Sequence, residues 1–215
     1  MSHRILATTL LVLGFSAAST QAADIHGDAA AGSSKAAVCT ACHGPNGTGI
    51  NPEWPVIAGQ NSAYSRDQVT RIKAGMRTAP LMMPIVQSLS EQDIADVAAF
   101  FATQTPKGNE ADPSYWKAGQ ALYRGGDASR DIPACMSCHG PVGRGNPAAG
   151  YPALQAQYAV YTIKQLDNYA SGMRYVKDSS GKSEAGPNAI FMQTIAARLT
   201  PEDRRNVASY IQGLR

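Results

Sequence analysis

Cys39-Thr40-Ala41-Cys42-His43-Gly44-Pro45 is written a second time, 96 residues later, as Cys135-Met136-Ser137-Cys138-His139-Gly140-Pro141. The match extends outward. Gly47 and Gly49 pair with Gly143 and Gly145 at the same offset. From Trp54-Pro55 and Tyr151-Pro152 the offset is 97, and it holds through Tyr64/Tyr161, Gln68/Gln165 and Gly75-Met76-Arg77/Gly172-Met173-Arg174. It then becomes 110, aligning Met82/Met192, Leu89/Leu199, Asp93/Asp203 and Val97-Ala98/Val207-Ala208. A period of about 100 residues is too long for a solenoid and describes a duplicated domain.

The repeat orders the rest of the chain. Residues 1–22 read as a secretory signal: Arg4, an apolar run over 5–15, and small residues around a cut after Ala22. The first domain is expected over residues 23–104, a linker over 105–113 and the second domain over 114–215. The linker holds Pro106 and Gly108 and has no periodicity. The second copy carries two insertions, residues 125–133 and 175–187; the latter is rich in Ser, Gly and Lys and reads as an exposed loop. No second apolar stretch of about 18 residues follows the signal, so the processed chain is expected to lack a transmembrane helix.

The pattern predicts an all-α fold. Ser90 with Asp93, and Thr200 with Pro201 and Asp203, open the last helix of each copy. Ile94, Val97, Ala98 and Phe101 then form one apolar stripe, as do Val207, Tyr210, Ile211 and Leu214. Middle helices are expected over 61–74 and 159–171, ending at Gly75 and Gly172, and first helices over 28–42 and 114–124. No run alternates as a strand does.

Charged residues make up 16% of the chain and its net charge is +3, which argues against a nucleic-acid surface. The charge is uneven: residues 23–110 carry −2 and residues 111–215 carry +4, a dipole able to orient the protein on partners.

Cys-x-x-Cys-His is the attachment motif of c-type haem. Its two thiols can each add to one haem vinyl group, and the following imidazole reaches the iron. Other uses of the cysteines fit worse. A zinc site would join pairs roughly 12–20 residues apart, whereas 92 residues separate Cys42 from Cys135. A redox dithiol requires no histidine after it, and a disulfide framework would spread its cysteines. Two covalently bound haem c groups are therefore expected, on Cys39 and Cys42 and on Cys135 and Cys138, with His43 and His139 as iron ligands.

The sixth ligand follows by subtraction. Of four histidines, His3 leaves with the signal and His26 lies in a stretch expected to fray. Methionine thioether is the usual alternative. Met192 and Met82 keep register just before the last helices, seven residues ahead of Leu199 and Leu89. Met76 and Met173 sit at helix ends and read as packing residues. Met83 competes with Met82, which is preferred for its register. The axial set is then His43, Met82, His139 and Met192.

Cys39-x-x-Cys42-His43, Pro55-Val56-Ile57-Ala58-Gly59, Met82 and the capped last helix resemble a class I cytochrome c domain. The duplication, with Ala153-Leu154, Lys164-Gln165-Leu166 and the closing Ser209-Tyr210-Ile211-Gln212-Gly213-Leu214, resembles the bacterial cytochrome c4 family over about residues 27–215. The resemblance implies that the carbonyls of Pro55 and Pro152 accept a hydrogen bond from the haem-ligating histidines.

A haem filled at both axial positions has none open for a small-molecule substrate, so the reading is an electron carrier and not an enzyme. It implies a periplasmic protein, secreted across the inner membrane. The carrier would pass electrons from a quinol-oxidising complex to a terminal oxidase, with room for loose membrane association. The second reading is the cytochrome subunit of a periplasmic dehydrogenase, such as a flavoprotein sulfide or alcohol dehydrogenase. A diheme peroxidase is the third, and the supply of only two usable histidines disfavours it.

Overall fold

The computed structural model describes residues 25–177, 179–181 and 185–215. The expected signal, and residues 178 and 182–184 of the second insertion, lie outside the described residues. Helices carry the whole architecture; among the described residues only isolated β-bridges occur.

The first copy runs α1 (Ala29–Lys35), α2 (Ala37–His43), α3 (Ser62–Lys73), α4 (Met83–Gln87) and α5 (Glu91–Ala102). The second runs α6 (Trp116–Gly125), α7 (Met136–His139), α8 (Ala159–Ala170), α9 (Pro187–Arg198) and α10 (Pro201–Gln212). Both expected helix starts form, each as a capping box: Ser90 and Thr200 each accept from the amide three residues on, while Asp93 and Asp203 reach back. Gly75 and Gly172 follow the middle helices at the same positive φ of 73°.

Three expectations need correction. The first helix of copy one is broken at Ala36 into α1 and α2. The segment around His26 is pinned and not frayed: Arg66 donates to the Ile25 carbonyl (2.7 Å) and Gln92 to that of His26 (2.8 Å). Tyr175, placed in an exposed loop, is buried and bridges to Arg77 of the other domain. A further helix, α9, is unexpected, although Pro187 at its first position is a start signal.

Each domain is held by its first helix crossing its last. A Cβ on Gly32 would lie 2.0 Å from the Asp96 carbonyl oxygen of α5, and one on Gly119 would lie 1.9 Å from that of Asn206 in α10. The backbones touch because these residues have no side chain. Beside this crossing the second domain packs Leu122, Tyr123, Leu166, Val207, Tyr210 and Ile211. The first has a smaller cluster, with Ala36, Val97 and Phe101 at its centre. Domains of this size bury little on their own.

Polar contacts fasten the first crossing. Asp96 accepts from the Asp28 amide (2.8 Å), from Lys35 (2.6 Å) and from Gln92 (2.7 Å). The Asp28 amide, then Lys35 and Gln92, hold its carboxyl down at about 2. A depressed carboxylate stabilises the fold above its unfolded value near ~4 and loses that contribution as pH falls through the folded one. The melting-temperature gap between wild-type and Asp96→Asn protein should therefore shrink as pH drops from about 4 to about 2. A gap constant over that range would contradict the assignment. In the second domain Asn206 takes this register position and cannot titrate.

Candidate functional site

In each domain a short helix presents the motif: α2 carries Cys39, Cys42 and His43, and Cys135 caps α7, which carries Cys138 and His139. Both helices stop at a glycine with φ 79°, Gly44 and Gly140, a conformation that other residues adopt only under strain. The loop that follows is tied back identically. Gly49 and Gly145 donate to the carbonyls of His43 (2.7 Å) and His139 (2.8 Å). Gly47 and Gly143 each accept two amides from the segment after the proline, from Ile57 and Ala58 and from Leu154 and Gln155.

This path brings each proline under its histidine. His43 Nδ1 lies 2.9 Å from the Pro55 carbonyl oxygen, and His139 Nδ1 lies 2.9 Å from that of Pro152. A carbonyl only accepts, so Nδ1 carries the proton and Nε2 is left with its lone pair. Burial, opposed by the proline hydrogen bond, lowers both imidazole pKa values and keeps the rings neutral. None of the four cysteines is in a disulfide. Burial pushes Cys39 and Cys135 up to about 11.

In the second domain Cys135, Cys138, His139, Pro152 and Met192 all line one cavity of about 390 Å³. Leu154, Leu166, Ile195 and Val207 give it apolar walls. Met192 reaches it from α9. In the first domain the half-buried Met82 caps α4, while Met83 Sδ accepts from the exposed Gln87 amide at 3.3 Å. Met76 and Met173, read as packing residues, are 37% and 64% exposed.

The rim of that cavity is shared between domains. Tyr64, Gln68 and Arg71 of the first domain line it with Arg174 of the second. Arg174 is 4% exposed. Its Nη2 donates to Tyr64 (2.9 Å) and Gln68 (3.2 Å), and its buried Nε has no partner among the described residues. Arg77, its repeat counterpart, donates to Tyr161 at 3.1 Å, so the arginine–tyrosine pairs cross between domains. The repeat had shown these four residues in register, but nothing local showed that they meet.

These residues fit a c-type haem. An apolar slot holds two thiols, an imidazole with free Nε2 and a thioether, and a buried guanidinium with a spare N–H is suited to a carboxylate at the rim.

Comparison with known proteins agrees. A family model described as Cytochrome c matches residues 29–105 and again 116–215. The chain is 43% identical over 221 residues to a cytochrome c4 of Azotobacter vinelandii, covering 99% of each. The crystal structure of reduced recombinant cytochrome c4 from Pseudomonas stutzeri superposes with a TM-score of 0.80 at 40% identity, over 88% of this chain and 100% of that one. A thiosulfate dehydrogenase electron acceptor of Thiomonas intermedia is 32% identical over 189 residues, 85% of this chain and 81% of the relative.

Proposed function

On the premise that this chain belongs to the cytochrome c family, as a diheme electron-transfer protein of the cytochrome c4 type with two covalent haem c groups, we propose how its residues divide the work. Cys39 and Cys42 anchor one haem and Cys135 and Cys138 the other. His43 with Met82, and His139 with Met192, would hold the two irons. Pro55 and Pro152 hold the imidazoles by Nδ1. When bound, each haem supplies a one-electron ferric/ferrous couple, and a thioether beside imidazole favours the ferrous state.

One observation carries this reading: in the second domain, cysteine pair, histidine and methionine line a single slot. An imidazole and a thioether holding the iron would keep substrate and water from it, and the protein would act as a carrier. In the first domain Met82 is favoured over Met83, whose sulfur is already engaged by Gln87. The test is the ferric optical spectrum, whose methionine–iron charge-transfer band should amount to two haems. Met82→Ala should halve it and Met83→Ala leave it intact; the reverse would exchange their roles. Absence of the band from the wild type would sink the ligand set.

We further propose that residues 1–22 are a cleaved export signal, that the domains span 23–104 and 114–215, and that the carrier works in the periplasm. Its partners would be a quinol-oxidising complex and a terminal oxidase. Among the described residues no helix is long and apolar enough to cross a membrane. The Thiomonas relative favours a second reading, acceptance of electrons from a dehydrogenase that oxidises a sulfur compound. Reduction of the purified protein by such an enzyme, faster than by a quinol-oxidising complex, would select it.

A further inference from the structure

Gln60 and Gln157 occupy one register position, each just before the residue that caps a middle helix, α3 or α8. Each side chain crosses to the other domain. Gln157 Oε1 accepts from the Val56 amide (2.9 Å) and its Nε2 donates to the Val56 carbonyl (2.9 Å). Gln60 Oε1 accepts from the Ala153 amide (2.8 Å) and its Nε2 donates to the Ala153 carbonyl (2.9 Å). Each Oε1 also accepts the amide of the next residue, Asn61 (2.9 Å) or Tyr158 (3.2 Å), which fixes which end of the side-chain amide is oxygen. Gln157, Val56 and Ala153 are all at most 8% exposed, so water is kept from the Gln157–Val56 bonds, while Gln60 is half-buried.

The residues gripped are those after Pro55 and Pro152. The Val56 N–H therefore belongs to the same peptide group as the Pro55 carbonyl, which accepts from His43; the Ala153 N–H and the Pro152 carbonyl, which accepts from His139, form another. A peptide N–H that donates shifts density through the amide onto its own carbonyl oxygen, making it a stronger acceptor. A stronger acceptor at Nδ1 makes the imidazole a better donor to iron and favours the ferric state.

We propose that each domain's glutamine sets the reduction potential of the other domain's haem, Gln157 through the Pro55–Val56 peptide and Gln60 through Pro152–Ala153. The two haems are thereby tuned by the docking of the domains. Gln60 and Gln157 are positioning residues, and the inference rests on the proposed ligation by His43 and His139.

The isosteric Gln157→Met and Gln60→Met holoproteins test it independently, each judged by a haem-resolved redox titration and by NMR of the histidine Nδ1 protons in the ferrous state. Gln157→Met should raise the first haem's equilibrium constant for reduction about threefold, equal to about 28 mV at 59 mV per tenfold. It should also move the His43 Nδ1 proton upfield, leaving the second haem and His139 in place. Gln60→Met should do the converse. A shift confined to the mutated domain's own haem, an equal shift of both as from a loosened interface, or no shift overturns the proposal while the ligand reading stands. Wild-type Nδ1 protons outside the ring-current range of a haem ligand would overturn both.

Discussion

A Gly119→Ala protein should keep both haems but lose the methionine–iron charge-transfer band of one. The added methyl would lie 1.9 Å from the Asn206 carbonyl oxygen, 2.6 Å from its carbon and 2.9 Å from the Tyr210 Cβ. The first two are backbone atoms of α10 and cannot swing aside, so α6 and α10 must part. Parting them opens the core of Leu122, Tyr123, Val207 and Tyr210, separates the Tyr123–Tyr210 ring pair (5.3 Å) and breaks the Arg124–Tyr210 bond (3.1 Å). The expected loss is about 3 kcal/mol or more, comparable with the whole margin of a small domain. The second domain would then fail to hold its haem slot. A charge-transfer band halved at an unchanged haem-to-protein ratio is the expected result, because the thioethers keep the haem attached. Gly125→Ala, in the last turn of the same helix, is the control: its methyl meets nothing within 4 Å, so the band should be unchanged. An undiminished band in Gly119→Ala would mean that the crossing can relax. Gly32→Ala should remove the first haem's share of the band for the same reason.

What was legible in the chain was local or repeated. Cys39 to His43 and its copy are read within five residues because thioether spacing and the proximal imidazole are fixed by one helical turn. Ser90 with Asp93 and Thr200 with Asp203 are equally local, and both form. Gly32 and Gly119 were not found, because a glycine in a short helix shows its purpose only against the helix it crosses. Arg174 and Arg77 were in register, yet burial of the one and its bonds to Tyr64 and Gln68 depend on how the domains dock. Gln60 and Gln157 share the offset of 97 and so could have been noticed; what sets them apart is that each grips a peptide of the other domain. The helical setting of Met192 was missed because the insertion before it is polar and masks the start at Pro187.

Met192→Ala should keep both haems and change one of them drastically. As the proposed sixth ligand, Met192 closes the second iron to outside molecules and favours its ferrous state. Its removal should lower that haem's potential by roughly 0.2 V, a fraction of the ~0.8 V that axial ligands span. It should also let the reduced protein bind one carbon monoxide per chain, whereas the wild type binds none. The slot should survive the change. Met192 is only partly buried, next to the exposed Phe191, and α9 is held by other contacts. Asn188 donates to the Ala149 carbonyl (2.8 Å), Arg204 donates to that of Ala196 (3.0 Å), and Ala196 and Leu199 sit in the core. The thioethers at Cys135 and Cys138 keep the haem attached whatever the sixth ligand. A variant with unchanged potential and no carbon monoxide binding would remove Met192 from the ligand set. Met82→Ala should act on the first haem alone, and the double variant should bind two. The same substitution separates carrier from catalyst: a site that becomes reactive only when its own side chain is cut away was built to keep substrates out.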